Sequence, residues 1–196
     1  MRSFYTIGHS SHPADHFFKL LSANGIEVLV DTRSYPYSKR VPHFDRETLR
    51  DSVGQAGARY LYLGDVVGGR PKDKAFYDAD GRALYGKVAD SPEFLSGIDR
   101  LERGADQYRV ALLCSEEDPA HCHRRLLIGR VLIDRGAELI HIRGDNRLED
   151  DAAVASRSGK LLLETQPALL SEIDEAQWRS TASVSPKNPQ RSSSAR

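Results

Sequence analysis

Residues 3–30, SFYTIGHSSHPADHFFKLLSANGIEVLV, decide the fold. Ser3-Phe4-Tyr5-Thr6-Ile7 is a short run of β-forming residues that stops at Gly8, the pattern of a strand. Pro13 opens a helix with Phe17, Leu20 and Leu21 on one face, closed by Asn24-Gly25. Ile26-Glu27-Val28-Leu29-Val30 supplies a second strand. Strand, helix and strand in this order form a βαβ unit, which closes right-handed and parallel in nearly all cases.

The same alternation continues outward. After a loop broken by Pro36 and Pro42, Asp45 is the expected N-cap of a helix through Leu49 and Val53, and Ala58 to Leu63 reads as strand three. Residues 64–90 form the longest irregular stretch, of a length that serves a lid or binding loop more often than filler. Ser91-Pro92 starts a helix with Phe94, Leu95, Ile98 and Leu101 in register. Tyr108 to Leu113 is a nearly continuous apolar strand of the kind covered on both faces. Asp118-Pro119 opens the next helix, with Leu126, Leu127, Ile128, Val131, Leu132 and Ile133 apolar, and Ala137 to Ile142 is strand five. Five strands alternating with helices predict an α/β fold: an open, mostly parallel five-stranded sheet with helices on both faces, a Rossmann-like three-layer arrangement. We assign residues 1–145 to a single α/β domain, 146–179 to a C-terminal extension packing on it, with a strand or helix at 161–163 and 169–178, and 180–196 to a disordered, basic, Ser/Pro-rich tail.

Composition bounds the function. A chain of 196 residues buries roughly two thirds of its unfolded surface and needs no disulfide or metal to hold a core. Its 28 basic and 28 acidic side chains cancel. Three of the basic ones, Lys187, Arg191 and Arg196, lie in the tail with no acid beside them, which leaves 25 against 28, a net −3, for residues 1–179. Any nonspecific nucleic-acid partner is therefore expected at the tail, not at the domain. No run approaches the roughly 20 apolar residues of a membrane span, and MRSFYTIGHS is not a signal peptide, so no membrane partner is expected. With Cys114 and Cys122 the only cysteines, the expected home is the reducing cytoplasm.

Unusual residues collect where the strands end. His9 and Ser10 follow strand one, Asp31 and Arg33 strand two, Gly68, Gly69 and Arg70 strand three, and Cys114 and Glu116 strand four. In an open parallel sheet these ends share the edge where ligands bind. The segment CSEEDPAHCHR, 114–124, packs two thiols, two imidazoles, three carboxylates and an arginine between a buried strand and a helix start. Arg33, Arg70 and Arg124 suit bidentate capture of a phosphate or carboxylate, with Ser10, Asp31 and the glycine pair beside them. Each residue also has a plainer reading. His9 would satisfy backbone groups, Asp31 and Arg33 would form a structural ion pair, Gly68-Gly69 a turn, and Cys122 helix core. Cys114, Cys122, His9, His121 and His123 are candidate metal ligands, but the close Cys pairs of structural zinc sites are absent, and no metal is assigned.

The strings TIGHS (6–10), LVDTRSYPYSKRVPHF (29–44), YLYLGDVVGGR (60–70) and ALLCSEEDPAHCHR (111–124) together resemble the bacterial and archaeal family known as domain of unknown function 488. The resemblance runs over about residues 4–142 and implies one α/β domain with Gly-His-Ser, Asp-x-Arg, Gly-Gly-Arg, Cys-x-Glu and Cys-His-Arg motifs. These fall at Gly8, His9, Ser10, Asp31, Arg33, Gly68, Gly69, Arg70, Cys114, Glu116, Cys122, His123 and Arg124. Thr32 and Ser115 stand where Val and Ala are more usual, and the family brings no settled activity.

Three functions compete. The leading expectation is an enzyme acting on a small phosphorylated or nucleotide-like substrate. In it Arg33, Arg70 and Arg124 hold the anion, Glu116 or His9 is the general acid or base, and His123 orients it. The alternative is a noncatalytic module that recognises a nucleotide or nucleic-acid end with the same arginines. The third is thiol chemistry at Cys114, loosely like a sulfurtransferase, against which Glu116, Glu117 and Asp118 would raise the thiol pKa.

Overall fold

The structure, a computed structural model, describes residues 1–158 and 178–184. A six-stranded sheet forms its middle layer, in the order β3-β2-β4-β1-β5-β6. The strands are β1 (Ser3–Gly8), β2 (Val28–Asp31), β3 (Arg59–Tyr62), β4 (Val110–Cys114), β5 (Glu138–Ile142) and β6 (Leu148–Asp150). The first five are parallel and β6 pairs antiparallel with β5. The expected five strands are present, and the sixth follows Arg143, where the apolar pattern fades. Three residues long and carrying Glu149 and Asp150, β6 ends the sheet with charge on its edge.

Alternation along each strand separates two cores. Phe4, Val28, Val30, Val110 and Leu112 face one side, where they meet α4 (Pro92–Ala105), α5 (Arg130–Asp134) and the short α3 (Tyr85–Ala89). Tyr5, Ile7, Leu29, Ala111 and Leu113 face the other, against α1 (Ala14–Ala23) and α2 (Arg46–Gln55). A sixth helix, α6 (Asp151–Ser158), follows β6. Ser91 caps α4 as expected, its hydroxyl accepting from Phe94 N at 3.4 Å. Asp45 precedes α2, but its carboxylate accepts from Ser38 N at 2.7 Å and so closes the 38–45 loop instead of the helix.

The helix expected from Asp118-Pro119 is three pieces. A turn at Pro119–His121 is capped by Asp118, a π-helical turn spans Arg124–Gly129, and α5 completes it. The wider π turn lets consecutive Arg124 and Arg125 both point inward, to different partners. Trp178–Val184 run against the domain: Ser180 is buried and exchanges hydrogen bonds with Ala83, and Trp178 Nε1 donates to Leu126 O at 2.7 Å. Residues 180–184, which composition assigns to the disordered tail, are thus part of the folded surface because their backbone finds partners on residues 81–83. The segments expected at 161–163 and 169–177, and the tail beyond 184, lie outside the described residues. No helix among the described residues is long and apolar enough to cross a membrane.

Strand order sets the position of the cleft. β4 enters between β2 and β1, where a dinucleotide-binding sheet keeps β1 beside β2. From the neighbouring strands β1 and β4 the chain leaves in opposite directions and over opposite faces, to β2 through α1 and to β5 through α5. A crevice opens at their C-terminal ends. Gly8 is level with Cys114 there, and a Cβ on Gly8 would lie 1.8 Å from the Glu116 carbonyl oxygen. Gly8→Ala is expected to cost at least about 3 kcal/mol, because backbone must move to admit the methyl. Gly54→Ala, inside α2 with open space around the new methyl, is expected to raise stability by about 0.5 to 1 kcal/mol. Thermal melts of the two variants should move in opposite directions.

Candidate functional site

A cavity of about 630 Å³ occupies that crevice. His9, Ser10, Arg33, Gly69, Arg70, Cys114, Glu116 and His123 all line it. Asp31, Gly68, Cys122 and Arg124 do not. The strand-end residues therefore gather as the sheet topology requires, but what each one touches is more informative.

Arg33 is an internal strut. Its Nε and Nη2 donate to the two oxygens of Asp31 at 2.8 and 2.6 Å, Nη2 also to Phe44 O at 2.9 Å, and Nη1 to His9 Nε2 at 3.1 Å. Tyr60 adds its hydroxyl to Asp31 at 2.7 Å. The guanidinium is 4% exposed and the carboxylate 0%, so the pair expected to grip an anion instead neutralises itself. His9 Nδ1–H donates to Ser10 O at 2.8 Å while Nε2 accepts from Arg33, which fixes a neutral tautomer with both nitrogens taken. Burial first, and then the Arg33 charge, lower its pKa to about 4. The ring expected to act as an acid or base is thus held neutral, with both nitrogens engaged by the protein itself.

Arg124, another motif arginine expected at the anion, is likewise engaged by the protein itself. Fully buried, it donates through Nη1 to Glu116 O, through Nη2 to Glu117 O at 2.7 Å and through Nε to Thr6 Oγ1 at 3.2 Å. It holds the loop after β4. The glycine pair is explained by close approach: a Cβ at Gly68 would meet Gly64 O at 2.2 Å, and one at Gly69 would sit 2.7 Å from His123 Cβ. Arg70 N donates to Ser34 Oγ at 3.0 Å, so it is the Arg70 side chain, exposed at the cavity, that stays available.

In the cavity wall, Cys114, Glu116 and His123 converge with Cys122 behind them, one donor atom of each within 4.8 Å of all the others. Cys114 Sγ donates to Glu116 Oε2 at 2.7 Å, and Cys122 Sγ lies 3.3 Å from the same oxygen. His123 Nδ1 is 3.4 Å from Cys114 Sγ and 3.9 Å from Cys122 Sγ, and Nε2–H donates to Thr32 O at 3.0 Å. Cys122, which also reads as plain helix core, is 1% exposed yet belongs to this cluster. Burial raises both thiols; for Cys122 the hydrogen bond with Cys114, the Arg124 charge and His123 outweigh it and bring the pKa down to about 5. Cys114 is held above the ordinary thiol range, through burial, Cys122 and Glu116. Burial acts upward on Glu116, but the Cys114 thiol and the His123 charge hold it at about 2, an acceptor and not a proton donor.

A model of the family described as Domain of unknown function DUF488 matches residues 13–131. The chain belongs to this family. The match covers more than half of the chain and takes in every motif residue from Asp31 to Arg124, while Gly8, His9 and Ser10 lie before it. No curated protein and no solved structure matches the chain.

Sequence reasoning missed much of the DUF488 cavity. Tyr35, Tyr37 and Arg40 line it from the loop after β2, and Ser180–Val184 form a further wall. Tyr35 and Tyr37 are exposed and pack edge to face with centroids 5.6 Å apart. They stand inside the quoted 29–44 string, where two aromatic residues flanking a proline were the available signal. The 180–184 wall is set by tertiary pairing and carries no such signal.

Two stability predictions follow from the Arg33 strut. Asp31→Asn leaves a buried, unpaired guanidinium and is expected to cost about 3 to 5 kcal/mol, read by chemical denaturation. The His9 pKa is depressed in the fold and near 6.5 when unfolded. The stability it provides is whole above pH 6.5 and fades as pH falls toward 4, by about 2 kcal/mol at pH 5. His9→Gln should flatten that part of the stability–pH curve.

Proposed function

We propose that this DUF488 domain is an enzyme acting on a small phosphorylated, nucleotide-like substrate bound in the cavity at the C-terminal edge of the sheet. One observation carries the reading. Among the described residues, the exposed side chains of Arg40 and Arg70 have no carboxylate partner, and they share the cavity with the exposed rings of Tyr35 and Tyr37. Guanidinium groups left unpaired suit a phosphate, and accessible aromatic faces suit a base. The volume falls within the range of roughly 300 to 1,000 Å³ typical of small-molecule sites.

In this reading Arg40 and Arg70 take the anion-holding part that the sequence motifs assign to Arg33 and Arg124. The substrate's reacting bond lies against the wall made by Cys114, Glu116 and His123. The engagement of both His9 nitrogens favours a second reading, a noncatalytic nucleotide-recognition module that uses the same wall. Turnover of a bound ligand separates the two.

A thermal-shift panel of nucleotides and sugar phosphates tests the reading. A ligand at about a hundred times its Kd is expected to raise the melting temperature by about 5 to 10 °C. The Arg40→Ala, Arg70→Ala double variant should keep its own melting temperature and lose the shift. A panel without any response would count against the proposal.

A further inference from the structure

We propose that Cys114, Glu116, Cys122 and His123 form a binding site for a zinc-class divalent metal ion. The inference is independent of the nucleotide reading, since it rests on the mutual geometry of four donors. Four bonds of about 2.0 to 2.3 Å to one zinc ion make a tetrahedron with donor–donor edges of about 3.3 to 3.8 Å. The two Sγ–Nδ1 separations are 3.4 and 3.9 Å and the Cys122 Sγ–Glu116 Oε2 separation is 3.3 Å. The Cys114–Glu116 edge, 2.7 Å, is shorter, and Glu116 lies on the cavity side, where its carboxylate has room to open it.

The second layer supports the same conclusion. Donation from His123 Nε2 to the Thr32 carbonyl points Nδ1 at the sulfurs, the orientation in which a metal-binding imidazole is ordinarily held. Gly69 packs its backbone against the His123 side chain, Cys114 ends a fully buried strand, and the Asp118-capped turn delivers Cys122. The donors are thus held by structure that exists before any ion arrives. Two thiolates, an imidazole and a carboxylate favour zinc or a similar ion over magnesium or calcium. Binding would release the thiol protons to solvent, and the three negative charges then left on the donors would be balanced by the ion together with the buried Arg124 guanidinium. Eight positions separate the cysteines, so the loop after β4, not a short Cys-x-x-Cys knuckle, closes the site. That is why close-pair spacing fails to reveal it.

The experiment titrates full-length protein, stripped of metal under reducing conditions, with Co²⁺. About one equivalent is expected to bind, with sulfur-to-cobalt charge-transfer absorption and the visible bands of a tetrahedral ion, and Zn²⁺ should displace it. Cys122→Ser should weaken binding by at least about a hundredfold, the upper end of what loss of a supporting residue costs. If that variant does not fold, zinc protection of both wild-type thiols against alkylation gives the same reading. Reduced, folded wild-type protein without a thiolate–cobalt band overturns the proposal. So does equal metal affinity in wild type and in folded Cys122→Ser and His123→Ala variants.

Discussion

The buried Arg124 guanidinium is the constraint on which the rest of the cleft depends. The chain leaving β4 turns across the end of β1, admitted by the missing side chain of Gly8, and brings the carbonyls of Glu116 and Glu117 against the buried Arg124 guanidinium. Carbonyls turned toward the interior need donors. Arg124 supplies them from one rigid planar group and ties the same loop to Thr6 of β1. Without that clamp the loop would relax outward, and Glu116 would leave Cys114 and Cys122. Arg33 performs the corresponding service on the other side, joining Asp31, Phe44 and His9 so that β1, β2 and the loop after β2 end in register.

These two side chains divide the arginines of the family motifs by role. Arg33 and Arg124 are consumed in building the walls, whereas Arg70 and the neighbouring Arg40 stand at the surface of the cavity with their side chains uncommitted among the described residues. A motif arginine is therefore a poor guide to ligand contact until its own donors have been accounted for. The cysteines show the complementary pattern. Their closeness comes from a π-helical turn and a capped turn that place Cys122 and His123 beneath the end of β4.

Much of this architecture is legible in the residues. The apolar runs at 3–7, 26–30 and 108–113 locate strands because parallel strands covered on both faces must be hydrophobic throughout. Once five such strands are placed, the convergence of His9, Arg33, Arg70, Cys114 and Glu116 follows from topology. The roles of His9, Arg33 and Arg124 do not follow, because hydrogen-bond partners such as Phe44 O and Glu117 O are backbone groups that leave no trace in composition. Nor does the wall at 180–184, whose Ser-rich composition reads as solvated but whose backbone pairs with residues 81–83.

The central claim is that loop, strand end and π turn together aim four donors at one point beside the cavity. A crystal structure of protein grown with zinc, with data collected on both sides of the zinc absorption edge, tests it most directly. The account predicts one strong anomalous peak within about 2.5 Å of Cys114 Sγ, Cys122 Sγ and His123 Nδ1, with Glu116 completing the shell. No peak there, or cysteine and histidine side chains that point to separate surroundings, would contradict it.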